Sequence, residues 1–157
     1  MRVCSLFLLM FMVSCGSSES EASEGRRTLI GGAPVGEDEY MEVVRIRSGR
    51  AGCTASVVGD RVVLTAAHCV DAKVIEFQVG REVVRGECQN APDYTRRVGD
   101  QDMALCLTDR DIDLPKASVA KDGPKLRETV TLIGYGCIRE GGGGGNDGIL
   151  RVGESQV

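Results

Sequence analysis

Tryptophan is absent from this chain, histidine occurs once, and proline occurs four times in 157 residues. Aromatic side chains make up only 4%, which leaves no material for a stacking platform of the kind that holds unpaired bases. Basic residues are scattered and the net charge is −4. That balance excludes an electrostatic grip on nucleic acid or on an anionic lipid surface. No CxxC pair occurs, and a single imidazole cannot complete a plausible metal-ligand set, so neither a metal nor a cofactor is expected. Long amphipathic helical patterns are missing too. The longest apolar run, Val3 to Val13, falls short of the roughly 20 residues a membrane-spanning helix requires.

What the chain does have is seven cysteines and twenty-one glycines. Without metal-type spacing, so many cysteines point to an oxidising compartment and to disulfides. Met1-Arg2 followed by the apolar run has the form of an export signal. Val13-Ser14-Cys15 resembles the lipobox of bacterial lipoproteins, although Met12 is an unusual residue three places before the cysteine. Residues 1–14 are therefore expected to be a signal peptide and Cys15 a lipidated attachment to the membrane. The location expected is the bacterial cell envelope, or outside the cell if Cys15 carries no lipid. Residues 15–28 are polar and acidic, a tether and activation region with nothing to bury.

From Leu29 onward, short runs of strand character alternate with turn residues. The predicted strands are Met41 to Arg47, Thr54 to Val58, Arg61 to Thr65, Val74 to Val79, Glu82 to Cys88, Met103 to Thr108 and Thr129 to Tyr135. Ser48-Gly49-Arg50, Gly59-Asp60, Gly80 and Gly99-Asp100 supply the turns between them. Gly59-Asp60, flanked by valine-rich runs, reads as a hairpin. The pattern predicts an all-β antiparallel sandwich or barrel. The glycine run 141–145 is followed by no Lys-Ser/Thr pair and no helix, so it is a surface loop rather than a phosphate cradle.

The chemistry concentrates at Leu64-Thr65-Ala66-Ala67-His68-Cys69. His68 is the only side chain whose unperturbed titration lies near neutrality. Two small alanines let the backbone turn beside it, and a bridge from Cys69 to Cys53 would anchor that turn, adding about 3 kcal/mol in the chain-entropy account. Thr65-Ala66-Ala67-His68-Cys69 resembles the histidine motif of the chymotrypsin-like (trypsin) serine proteases, with Cys53 at that family's partner spacing. Asp102-Met103-Ala104-Leu105-Cys106-Leu107 is similar to the family's Asp-Ile-Ala-Leu-Leu segment, and Pro92-Asp93-Tyr94 to the Pro-x-Tyr element before it. Leu29-Ile30-Gly31-Gly32 resembles the family's mature N-terminus, and Gly134-Tyr135-Gly136 the Gly-Trp-Gly that closes its first barrel. A lone histidine beside a strand is usually structural; five landmarks in order are far more specific.

The resemblance implies a six-stranded Greek-key barrel of the chymotrypsin type, the first of two, over residues 29–135. Residues 136–157 would then hold a glycine-rich inter-barrel segment and the first strand of a truncated second barrel. It implies that His68 is the general base and Asp102 the carboxylate that orients it. It also puts Cys88 and Cys106 on paired strands, where a disulfide is one reading and a buried thiol at Cys106 the other; Cys137 is left without a partner. The family's serine stands in Gly-Asp-Ser-Gly-Gly, and the only serines after Asp102 are Ser118 and Ser155, neither in that setting. The oxyanion hole and specificity pocket are likewise missing. Arg26-Arg27 offers a cleavage site, but Thr28 intervenes before Leu29. The expectation is a serine endopeptidase acting on polypeptides by family, inactive as these 157 residues alone. The competing expectation is a lipid-anchored, protease-like domain kept for binding. No specific protein partner is expected.

Overall fold

β-branched residues at alternate positions, with glycine-bearing turns between runs, drive this chain into antiparallel sheet. The computed structural model describes residues 32–49, 51–70, 72–96, 101–136 and 147–157. The expected signal peptide, Cys15, the Arg27–Thr28 junction, Leu29 to Gly31, Cys137 and the glycine run lie outside the described residues. After a short β1 (Ala33–Pro34) come β2 (Val43–Ser48), β3 (Ala51–Gly59), β4 (Val62–Thr65), β5 (Val74–Val79), β6 (Glu82–Asn90) and β7 (Ala104–Thr108). These six strands close into a barrel in the order β2-β3-β4-β7-β6-β5. β4 pairs with β7 rather than β5, the crossing that makes a Greek key. Among the described residues the only helical element is a 3-10 turn, Ala67–Cys69.

Period-two patterning decides which side chains fill the barrel. Val44, Ile46 and Ser48 point inward from β2, and Ala104, Cys106 and Thr108 from β7. Ile46, Val57, Val63 and Ile75 are fully buried at its centre. Gly86 also faces this interior. A Cβ there would meet Ile75 Cγ1 and the Leu107 carbonyl, each at 3.3 Å, so the missing side chain lets β5, β6 and β7 approach closely. Beyond β7 the chain wraps the outside: the N–H of Ile112 donates to Asp60 O at 2.7 Å and that of Ala117 to Val57 O at 2.8 Å.

The barrel ends earlier than the sequence suggests. Thr129–Gly134 (β8) takes no place in it; β8 pairs with β9 (Arg151–Gln156), and β1 adds to the other side of β9. The expected boundary at 135 is therefore corrected: the closed barrel runs from Val43 to Thr108, and residues 129–134 belong to a separate three-stranded sheet. Six strands before β8 already satisfy one another's backbone groups, leaving no open edge for a seventh. β9 starts at Arg151.

Near the start of β9, the Asp147 carboxylate receives both Arg151 Nη atoms at 2.8 Å and the Ile149 N–H at 3.1 Å. The Arg151 bonds, then that N–H, lower the Asp147 pKa from 3.8 to about 2. A depressed carboxylate stabilises the fold fully above its unfolded pKa and loses that contribution as pH falls through the folded value. Asp147→Asn is therefore expected to flatten the decline of stability between pH 3.8 and about 2. Urea midpoints across that window test it; parallel profiles for the two proteins would rule the linkage out.

Candidate active site

β4 ends at Thr65, whose hydroxyl donates to the Thr54 carbonyl at 2.8 Å. Ala66 then adopts an extended conformation and the chain tightens into the 3-10 turn, with Cys69 N–H donating to Ala66 O at 3.1 Å and Val70 N–H to Ala67 O at 3.2 Å. Ala67 and Cys69 are buried in the core while His68 between them is exposed. With three residues per turn the side chains leave the axis about 120° apart, so Ala67 and Cys69 can face the core while His68 faces solvent. Cys69 is joined to Cys53 on β3 with the Cα atoms 6.1 Å apart.

Asp102 lies just before β7, which pairs with β4 from Val62↔Leu107 to Thr65↔Ala104. That register brings the approach to β7 beside the exit from β4. The Asp102 carboxylate is held at two points: its Oδ1 accepts the His68 backbone N–H at 2.9 Å, and its Oδ2 lies 2.6 Å from His68 Nδ1. The His68 imidazole hydrogen bond, and then the His68 backbone N–H, lower the pKa of Asp102, so the carboxylate is ionised at neutral pH. An ionised carboxylate can only accept, which assigns the proton to Nδ1 and leaves the Nε2 lone pair free to take another. The arrangement is chemically a base with its orienting anion.

The structure brings together four of the residues singled out in the sequence, His68, Asp102, Cys53 and Cys69, at one end of the barrel. Cys88 and Cys106 face each other across β6 and β7 and are joined as a disulfide. Ser118 lies in the exposed coil after β7, and Ser155 in β9 opposite Val130. Cys53, His68 and Cys69 offer atoms within 4.8 Å of one another, but the two sulfurs are bonded to each other and present no thiolate to a metal. An open groove of about 710 Å³ lies elsewhere, between residues 35–41, β2, β5 and Tyr135; neither His68 nor Asp102 lines it.

One participant carries no signal in the sequence. Thr54 accepts through its carbonyl from Thr65 and through its hydroxyl from the Tyr135 N–H at 2.8 Å. A Cβ on Gly134 would come within 2.9 Å of that hydroxyl, so glycine at 134 lets β8 dock on β3. Thr54 thus braces the strand leading to His68 and ties the barrel to the second sheet.

The trypsin family profile matches residues 30–156 of this sequence. A trypsin-like protease of Streptomyces glaucescens is 30% identical over 141 residues, 82% of this chain and 50% of that protein. Trypsin epsilon of Drosophila erecta is 26% identical over 140 residues, 79% of this chain and 55% of its own. Among solved structures, neuropsin, a serine protease expressed in the limbic system of mouse brain, superposes with a TM-score of 0.66 at 20% identity, over 78% of this chain and 62% of its own. That last likeness concerns the fold alone. The chain spans about half the length of the curated relatives it matches.

Proposed function

The chain belongs to the trypsin family of serine proteases, and from that premise we propose that it supplies the general base and the orienting carboxylate for hydrolysis of peptide bonds in polypeptides. The observation that carries this reading is the two-point grip of Asp102 on His68, at 2.9 Å to the backbone N–H and 2.6 Å to Nδ1. Gripped in this way, the imidazole keeps one tautomer and one orientation, which proton transfer in a transition state requires. His68 Nε2 would take the proton of a serine hydroxyl as that oxygen attacks the scissile carbonyl. The imidazolium so formed is stabilised by Asp102, then gives the proton to the departing amine. An acyl-enzyme remains, and water activated by His68 releases it.

The serine in this scheme does not come from residues 1–157. No Gly-Asp-Ser-Gly-Gly segment occurs among them, and neither Ser118 nor Ser155 has glycine neighbours to let the backbone curl into an oxyanion hole. Residues 1–157 by themselves are therefore expected to hydrolyse no peptide. A fluorogenic peptide assay on the purified chain tests this, with His68→Ala as the reference. Turnover that disappears in His68→Ala would sink the assignment of an external serine.

A further inference from the structure

Asp102 and His68 meet at the surface, with 41% and 63% of their side chains exposed. Water competes for both groups there, so their mutual attraction alone is weak. The contact lasts only if the backbone on each side is already in place. His68 has its anchor in the neighbouring Cys69–Cys53 bridge. Asp102 lies on the connection between β6 and β7, well outside the barrel's interior, and needs an anchor of its own.

The base of that connection is closed by a second covalent link. Cys88 and Cys106 are direct register partners and share a disulfide. Cys106 is wholly buried, and Cys88 packs half-buried against the same core. Hydrogen bonds carry the constraint toward Asp102: Ala91 N–H donates to Met103 O at 2.8 Å and Met103 N–H to Gln101 O at 2.8 Å. Asp102 lies between Gln101 and Met103, so it sits at the end of a short braced path from the bridge. Cys106 also occupies the place of the second leucine in the segment Asp-Ile-Ala-Leu-Leu, which makes this bridge a departure from the pattern the rest of the motif follows.

We infer that the Cys88–Cys106 disulfide is a positioning element for the His68–Asp102 pair, holding the β6–β7 connection so that the carboxylate stays on Nδ1. The inference rests on the reading of that pair as a base and its orienting anion, but its test needs no turnover. Because His68 is the only histidine in the chain, imidazole ¹⁵N shifts report its tautomer without ambiguity. The oxidised full chain is measured in its neutral-imidazole form, beside the double variant Cys88→Ala/Cys106→Leu. If that variant does not fold, as judged by circular dichroism, Cys88→Ala/Cys106→Val replaces it with a smaller side chain. In the wild type the ring is expected to be chiefly Nδ1–H. In the folded variant the population shifts toward Nε2–H, and the Asp102 pKa climbs toward its ordinary value. A variant that is less stable yet keeps the wild-type tautomer overturns the inference and leaves the bridge a purely structural one. A wild type that itself lacks the Nδ1–H form overturns the reading of the pair, and the inference with it.

Discussion

Asp102→Asn is expected to lower turnover by about 10⁴, the magnitude belonging to the Ser-His-Asp template of this family. The measurement is made on the chain joined to a serine-bearing second barrel. The cause is the tautomer. An asparagine amide at this position can donate to Nδ1, and the ring then carries its proton on Nε2, the nitrogen that must accept one from serine. The loss is expected in kcat, with KM little changed, because Asp102 holds the imidazole rather than the substrate. Folding is not expected to suffer, since both side chains are solvent-exposed and neither belongs to the barrel core. A loss below about tenfold, ~1.4 kcal/mol in the barrier, would mean that Asp102 does not set the state of His68.

The parts of this fold legible in the sequence are those where one residue type has few places to go. Val74–Val79 is a strand with the same limits in sequence and structure, because Ile75, Phe77 and Val79 alternate with polar Glu76 and Gln78 between turn signals. His68 stands out as the sole imidazole and Cys53–Cys69 follows the family's spacing, whereas Cys88–Cys106 stayed open against a buried thiol until the β6–β7 register paired the two residues. Thr129–Gly134 was equally legible as a strand but not as to its partner. Its pattern is the same whether it closes a barrel or joins β9, and only the register with 151–156 decides between them. Thr54 was not legible at all. A threonine in a β-strand is ordinary, and its two hydrogen bonds, to Thr65 and to Tyr135, exist only once distant segments have met. Asp102 lies between these cases: its neighbours made it conspicuous, whereas its grip on the His68 backbone N–H follows from the β4–β7 register.

Cys53→Ala/Cys69→Ala is expected to lower the unfolding free energy by about 3 kcal/mol, from the loop-closure entropy returned to the unfolded chain. That is a large share of the ~5–15 kcal/mol by which a domain is ordinarily stable. The site magnifies the loss locally. The turn presenting His68 is only Ala67–Cys69, and its backbone bonds are those of Cys69 to Ala66 and Val70 to Ala67, a poor-geometry 3-10 turn that does not persist without packing. Cys69 is buried at 5% exposure and is the part of the turn that the bridge pulls into the core. Thr65 remains tied to Thr54, so β4 is expected to keep its register while the residues after it loosen. Urea unfolding should show a lower midpoint and a slope no shallower than the wild type's, because the uncrosslinked unfolded chain expands and exposes more surface. Amide exchange should quicken at residues 66–70 before it does in β4. An unfolding free energy within about 0.5 kcal/mol of the wild type, the range of ordinary surface substitutions, would show that core packing around Ala67 and Val70 holds the histidine turn without the bridge.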